Sequence, residues 1–226
     1  MRKYWWKILA YLLLLTICTE GFLVKVPLLD GRLQQSIRNT FFHVPMWFSM
    51  MIFYIVSAVY SIIYLYKPGS KNDHHALEFA RVGVVYCILG LITGAIWATY
   101  QWGDPSVWKT DPKLVGAALS LLIYLAYFVL RGSIADPGNR AKISAVYNIF
   151  AFAMLFPTIW ILPRTTESLH PGGQGAEGNP GLNPNDASTN VAIFLWLGVI
   201  GWTLLGVWIT TLRVRLQFLI EKKLHG

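Results

Sequence analysis

The stretch Gly94–Lys113 reads GAIWATYQWGDPSVWKTDPK and lies between two long apolar segments. It holds three tryptophans within twelve residues, together with glycine, prolines and four charged side chains. Tryptophan is enriched where a membrane meets water, and glycine and proline interrupt regular helices. We therefore predict an irregular, non-helical segment at a membrane surface, which the apolar segments on either side present to solvent.

The composition around this stretch is that of an integral membrane protein. Of the 226 residues, 55% are hydrophobic and only 13% are charged, whereas soluble domains carry roughly 25% charged residues. The net charge of +8 does not indicate nucleic-acid binding, because the basic residues are scattered through short loops and form no basic patch. Cys18 and Cys87 lie far apart inside apolar segments and form no metal-binding motif.

Six apolar segments are each long enough for a membrane helix, which needs about 20 residues. They cover about residues 4–24, 41–66, 82–100, 114–130, 143–162 and 191–212. The predicted fold class is an all-α membrane protein, a single domain of residues 1–226 with six transmembrane helices. The first segment is interpreted as a retained anchor, because it is longer than the apolar core of a signal peptide and ends without a cleavage site. We expect the spans to be nearly free of charge, with only Lys7 and Glu20 near the ends of the first.

Lysines and arginines in the loops predict the orientation, because they are enriched on the cytoplasmic side. With a cytoplasmic N-terminus, thirteen of the nineteen fall in inner segments. Both termini are therefore predicted to be cytoplasmic. Three loops then face outward: residues 25–40, the tryptophan-rich loop at about 101–113 and a long loop at about 163–190. The middle of the long loop is rich in Gly, Pro and Asn and is predicted to be flexible, while the inner loops are interpreted as plain connectors.

Two histidines, His43 and His170, fall on the same outer side as the tryptophan-rich loop. Neutral imidazoles beside an aromatic surface can hold a haem iron by its two axial positions, but histidines near helix ends are also commonly hydrogen-bonded interfacial residues. Arg38 lies five residues before His43 and suits either a haem propionate or a lipid phosphate. Trp102 and Trp108 belong to a loop rather than to a helix end, so they need another surface to pack against.

The remaining histidines and tryptophans have simpler interpretations. His74 and His75 lie in the inner connector before the third span and are predicted to be solvated loop residues. Trp47, like the other tryptophans outside the loop, is assigned to the aromatic belts at the membrane surfaces. Pro45 fits a first helical turn and would fix the direction in which the chain enters the second span.

These residues resemble a known family of membrane proteins. The segments RNTFFHVPMWF at 38–48 and GAIWATYQWG at 94–103, the later VW and DPKL, and the outer-loop His170 are similar to the CcmC family. Proteins of that family handle haem during cytochrome c maturation, cross the membrane six times and present haem on a tryptophan-rich WWD loop. The resemblance covers nearly the whole chain, including the order histidine, tryptophan-rich loop, histidine.

The resemblance implies haem b as a transiently bound cargo. His43 and His170 would be the axial ligands of its iron, and Arg38 would lie near a propionate. Trp108 and Asp111 are separated by two residues here, whereas the family loop places its aspartate next to the last tryptophan, so the role of Asp111 stays open. The implied cofactor-binding residues are His43, His170, Trp102, Gly103, Trp108, Asp111 and Arg38.

The resemblance also implies partners and a location. The protein would work in the bacterial inner (plasma) membrane, with its functional loops facing the periplasm. It would hand haem to a periplasmic haem chaperone, beside ABC transporter subunits of the maturation system, and catalyse no reaction itself. Three alternatives stay open: a permease-type subunit of an ABC haem transporter, a CcsA-like cytochrome c synthetase component, and a structural scaffold for partner assembly. A permease would need polar residues facing a cavity inside the spans.

The expected arrangement places haem edge-on against Trp102 and Trp108, with its iron between the two histidines. Release of haem requires that one iron ligand leave. His170 lies on a loop that is predicted to be flexible, whereas His43 lies on a helix. We therefore expect His170 to be the ligand that leaves.

Overall fold

Helices make up nearly all of the computed structural model, which describes residues 4–26, 31, 33–170 and 188–225. The α-helices within those residues are α1 Trp5–Leu23, α2 Leu33–Ser36, α3 Thr40–Tyr66, α4 Ser70–Trp102, α5 Val107–Thr110, α6 Pro112–Ser133, α7 Pro137–Leu155, α8 Leu162–Thr165 and α9 Thr189–His225. A 3₁₀ turn at Ile37–Asn39 leads into α3, and a π-helical stretch at Phe156–Ile161 joins α7 to α8. The described residues contain no β-strand, which confirms the predicted all-α class.

Six helical segments of the described chain are long and apolar enough to cross a membrane. They are Trp5–Leu23, Ile37–Tyr66, Ser70–Trp102, Pro112–Ser133, Pro137–Thr165 and Thr189–Lys223. Each overlaps one predicted span, so the prediction of six transmembrane helices is confirmed. Large apolar side chains on their outer surfaces, such as Ile96 and Val129, are exposed, as expected of helices that face lipid. The cytoplasmic placement of both termini stays a prediction.

Local sequence explains where the helices around the tryptophan-rich stretch begin and end. Gly103 ends α4 in a left-handed conformation, φ 72°, and its N–H donates to the Thr99 carbonyl at 2.9 Å. Asp111 begins α6 as an N-cap residue, with Pro112 at the first helical position. Between these two residues the chain needs only one short helix, α5, to connect two spans. The connection is therefore tight, and it holds Asp111 close to the end of α4.

The helix α3 is central to the bundle and packs against α4, α7 and α9. Its buried face includes Phe53 and Tyr54, and the Tyr54 ring stacks on that of Tyr124 with centroids 3.6 Å apart. Glycines on α4 make room for the rings of α3. A Cβ atom added at Gly83 would lie 2.6 Å from the Tyr54 ring, which is closer than carbon atoms pack. Small residues thus bring the two helices together, as is usual in membrane bundles.

The first half of the tryptophan-rich stretch is helical, contrary to our prediction. α4 continues through Trp102, so Trp97 and Trp102 project from a membrane-spanning helix. The residues that interrupt helices, Gly103 and Pro105, come only after Trp102, which is why the helix extends this far. The irregular part of the stretch is limited to the segment between α4 and α6, and α5 interrupts it.

The inner connector before the third span is also helical, because α4 already begins at Ser70. His74 and His75 are therefore not solvated loop residues. His74 is buried, and its Nε2 atom lies 2.7 Å from Oε1 of Glu221. His75 stacks on the ring of Tyr60, with centroids 4.7 Å apart. Both histidines pack against neighbouring side chains within the bundle.

The helices extend beyond the predicted spans, and these extensions carry charged side chains that pair with one another. Arg131 of α6 binds Asp73 of α4 through two hydrogen bonds, of 2.5 and 2.7 Å. Glu78 is fully buried, and its carboxylate accepts hydrogen bonds from the side chains of Arg81, Arg213 and Gln217. These contacts join α4 to α6 and α9 at one end of the bundle, which we call the arginine end. Two cavities of about 410 and 650 Å³ also lie there.

Pro45 lies inside α3 rather than in its first turn, because the 3₁₀ turn starts the helical path at Ile37. Proline has no N–H to donate to the carbonyl of Phe41. That carbonyl faces α9, where a Cβ atom added at Gly198 would lie 3.1 Å from the oxygen. The missing hydrogen bond therefore coincides with a close contact between α3 and α9.

Some residues on which the predictions were based lie outside the described residues. This holds for 171–187, whose flexibility stays a prediction, and for Arg2, Lys3 and Arg32, which entered the argument about orientation. The long outer loop also begins later than predicted, because α8 extends the fifth span through Thr165.

Candidate functional site

Both predicted ligand histidines lie at the same end of the bundle, opposite the arginine end. His43 is in the first turn of α3, and His170 follows the carboxyl end of α8. The carboxyl end of α4 and the start of α6 reach this end too, because successive spans alternate in direction. We call this region, defined by His43, His170, Trp102 and Asp111, the histidine end.

His170 is held in place by a carboxylate and an aromatic ring. Its Nδ1 atom lies 3.0 Å from Oδ1 of Asp111, and its ring packs edge-on against Trp102 with centroids 4.9 Å apart. Because a carboxylate only accepts, Nδ1 carries the proton. The Nε2 atom on the other edge of the ring forms no hydrogen bond with any described residue. Histidines that ligate metals commonly donate their other N–H to a carboxylate in this way.

The carboxylate of Asp111 accepts hydrogen bonds from four donors. Oδ1 accepts from the Lys113 backbone N–H at 2.9 Å and from His170, while Oδ2 accepts from the Ser168 hydroxyl at 2.8 Å and the Leu169 N–H at 3.1 Å. Burial favours the neutral acid, but the hydrogen bond from His170, followed by those from Ser168 and Leu169, outweighs it. Together they hold the pKa of Asp111 well below its usual range. Asp111 is therefore ionised, and it joins the start of α6 to the segment that carries His170.

His43 is buried between α3 and α4, and both of its ring nitrogens are hydrogen-bonded. Trp47 donates its indole N–H to Nε2 at 3.2 Å, and Nδ1 lies 3.0 Å from the Thr93 hydroxyl. An indole can only donate, so Nε2 is unprotonated and Nδ1 carries the hydrogen. The Thr93 hydroxyl donates in turn to the Leu89 carbonyl at 2.8 Å, so it accepts from His43. The contacts thus specify one neutral tautomer, with the lone pair on Nε2.

The α4 face opposite His43 is shaped to receive its ring. A Cβ atom added at Gly94 would lie 2.6 Å from Cε1 of His43, so only glycine leaves room there. Trp97 and Trp47 flank the imidazole edge-on, with centroids 5.8 and 6.0 Å away. The assignment of Trp47 to an aromatic belt is therefore wrong: it packs beside the core of the bundle and contacts His43 directly.

The tryptophan-rich segment places its two later tryptophans differently. Trp102 packs with a small apolar cluster formed by Ala98, Val107 and Leu114, and it contacts His170. Trp108 is 51% exposed on α5, with the Lys109 ammonium 5.0 Å from its ring centre. The described residues show no ring contact between Trp108 and either histidine. Gly103 acts through its backbone, since its left-handed conformation turns the chain out of α4.

Arg38 lies at the histidine end, on the 3₁₀ turn before α3. Its Nη1 atom donates to the Gly21 carbonyl in the last turn of α1 at 2.9 Å, a contact that arginines commonly make at helix ends. Nearby, the Asn39 amide donates to the Thr93 carbonyl at 3.4 Å and the Ser36 hydroxyl bonds to Gln101 at 3.1 Å. These bonds tie the segment before α3 to α1 and α4. A contact between Arg38 and a propionate stays a prediction.

The sequence analysis did not identify several residues that shape the site. Thr93 and Trp47 determine the tautomer of His43, and Ser168 supports Asp111. Two signals could have indicated the first pair: Trp47 follows His43 by four residues, so the two share a helix face, and Gly90 and Gly94 form the small-xxx-small pattern of close helix contacts. Ser168 carries no such signal, because its contact depends on how α8 ends.

Comparison with known proteins identifies the family. The family model described as "Heme exporter protein C" (CcmC) matches residues 1–225. The heme exporter protein C of Paracoccus denitrificans is 25% identical over 198 residues, which cover 87% of this chain and 78% of that protein. That of Haemophilus influenzae is 25% identical over 192 residues, 85% of this chain and 75% of that protein. The cytochrome c biogenesis protein CcsA of Prochlorococcus marinus subsp. pastoris is 41% identical over 91 residues, 40% of this chain and 28% of that protein. The chain therefore belongs to the heme exporter protein C (CcmC) family.

Proposed function

We propose that the protein binds haem b at the outer face of a bacterial inner membrane and presents it to a periplasmic haem chaperone during cytochrome c biogenesis. The observation that carries the proposal is the setting of His170. Asp111 orients its imidazole and leaves Nε2 open, beside Trp102 and at the same end as His43. Two neutral imidazoles with Nε2 lone pairs fit the two axial positions of a haem iron. Membership of the family supports haem as the cargo.

Each predicted residue has a role in this proposal. His43 and His170 ligate the iron, and Trp102 and Trp108 give the flat macrocycle an aromatic surface. Arg38 lies at the same end and supplies a guanidinium for a propionate. Gly103 and Asp111 position the segment that carries these groups. Because haem is cargo that must leave again, the protein contributes binding and orientation and breaks no covalent bond.

The partners and the alternatives follow from the same observations. ABC transporter subunits of the maturation system and the lipid bilayer complete the proposed surroundings. A permease would need polar side chains facing a cavity inside the spans. The charged side chains that line a cavity here, such as Asp73 and Arg131, lie at the arginine end and pair with one another. A CcsA-like role as a synthetase component is less well supported, because the similarity to CcsA covers less than half of this chain.

A haem titration of the purified protein tests the ligand assignment. The wild-type protein should give a sharp Soret band and bind haem stoichiometrically. The variant His43→Ala/His170→Ala should lose both, whereas His75→Ala, which removes a histidine of the arginine end, should behave like the wild type. A double variant with wild-type Soret band and stoichiometry would show that neither histidine is needed to ligate iron.

A further inference from the structure

We infer that Trp47 competes with the haem iron for His43, so that His43, and not His170, is the ligand that exchanges when haem is released. The inference rests on the proposed function, because it concerns the same iron ligands. It reverses the expectation from the sequence, in which the loop residue His170 leaves first. The contacts of the two imidazoles carry the argument.

The Nε2 lone pair of His43 already has a partner inside the protein. Trp47 donates its indole N–H to this atom at 3.2 Å. Both residues lie on α3, four positions apart, so the helix itself keeps them within reach of each other. Gly90 of α4 packs against the indole, where a Cβ atom would lie 2.9 Å from Cε2. The donor is therefore fixed in place against the neighbouring helix.

Iron and the indole N–H require the same lone pair. When Nε2 binds iron, the hydrogen bond from Trp47 must break, and a half-buried N–H loses its acceptor. An unsatisfied buried donor is costly, so each binding event at His43 is weakened by that cost. The same free-energy cost favours release of haem, because the hydrogen bond from Trp47 forms again as the iron leaves.

The second nitrogen of each ring adds to the difference between the two ligands. His170 donates Nδ1–H to the Asp111 carboxylate at 3.0 Å, and three further donors hold that carboxylate in place, so the ring is firmly oriented. His43 donates Nδ1–H to the neutral hydroxyl of Thr93. His170 thus has a stronger orienting partner and no competitor among the described residues for Nε2, whereas His43 has a weaker partner and a competitor.

The test compares two tryptophan-to-phenylalanine variants. Trp47→Phe keeps an aromatic ring but removes the competing N–H. It should bind haem more tightly, by roughly threefold to tenfold for one ordinary hydrogen bond, and transfer it more slowly to apomyoglobin. Trp97→Phe is the matched control, because the Trp97 ring also flanks His43 but its buried N–H has no partner among the described residues. Trp97→Phe should show neither the tighter binding nor the slower transfer. Unchanged or weaker binding by Trp47→Phe, or an equal gain in Trp97→Phe, would overturn the inference.

A second measurement does not depend on haem or on folding of the variants. ¹⁵N NMR of histidine-labelled wild-type protein should show His43 with its proton on Nδ1 and an unprotonated, hydrogen-bonded Nε2. The opposite tautomer would overturn the inference.

The variant His43→Ala distinguishes a failure of this inference from a failure of the proposed function. If haem affinity is unchanged in His43→Ala, the ligand assignment itself is wrong. If His43→Ala loses affinity while Trp47→Phe equals the wild type, only the competition is wrong.

Discussion

At the scale of single residues, Asp111 shows how much one carboxylate organises. It caps α6, accepts from the segment that follows α8 and orients His170. The sequence indicated an aspartate at the end of the tryptophan-rich loop but left its role open, because its spacing from Trp108 differs from that of the family. The geometry gives it a role that does not require contact with haem.

Replacing Asp111 with Asn should therefore weaken haem binding by about 10- to 100-fold, the usual effect of losing the group that orients a metal ligand. The matched control is Asp104→Asn in the same segment, since the Asp104 carboxylate is exposed and bonds only to Ser106 among the described residues. Titration of both purified variants with haem checks the prediction. Equal losses in the two variants would assign the effect to loop charge rather than to His170.

The low pKa of Asp111 also predicts a dependence of stability on pH. In the unfolded chain an aspartate takes up its proton near pH 4, while in the folded protein the pKa lies well below that. Below about pH 4 the unfolded state thus binds more protons, and stability falls as the pH is lowered. Between pH 5 and 3 the melting temperature of the wild type should fall more steeply than that of Asp111→Asn. Parallel curves would show that Asp111 has an ordinary pKa in the folded protein.

At the scale of secondary-structure elements, the contact between α3 and α4 builds half of the site. Gly90 and Gly94 lie one turn apart on α4 and receive the rings of Trp47 and His43. Hydropathy alone located both helices, because 20-residue apolar runs have few other interpretations. It could not locate this contact, since which face of one helix meets which face of another depends on packing between distant segments.

Gly94→Ala should move the His43 imidazole, because the new methyl group would overlap its Cε1 atom. Overpacking of this kind costs about 1–3 kcal/mol, and haem affinity should fall with it. Gly132→Ala in α6 is the control, since nothing lies within 4 Å of its Cβ position. Thermal unfolding and haem titration of both variants give the comparison. A Gly94→Ala protein as stable and as haem-competent as Gly132→Ala would mean that the ring adjusts freely.

At the scale of the whole molecule, the bundle has two ends with different chemistry. The histidine end gathers imidazoles and tryptophans, whereas the arginine end gathers buried ion pairs that join α4 to α6 and α9. The sequence indicated the first end, since rare residues and a family resemblance converge there. It did not indicate the arginine end. The charged residues of 70–81 were predicted to lie in a connector between spans, but they belong to α4. The side of the membrane that each end faces stays a prediction.

Glu78 offers a test of whether the two ends act separately. Glu78→Gln removes the buried charge that accepts from two arginines, so the protein should lose about 1–3 kcal/mol of stability, since those arginines are partly exposed and can be solvated. Haem affinity should stay at the wild-type level, because the site is at the opposite end. Glu20→Gln, an exposed carboxylate on α1, should change neither quantity. Loss of haem binding in a folded Glu78→Gln protein would show that the ends are coupled.

The central claim, that His43 and His170 both ligate the haem iron, is tested most directly by the spin state of bound ferric haem. Electron paramagnetic resonance of the wild type should show six-coordinate low-spin iron. His43→Gly and His170→Gly should each show high-spin iron that returns to low spin when imidazole is added to fill the vacated position. Low-spin iron in either single variant without added imidazole would contradict the claim, because another group would then hold that axial position.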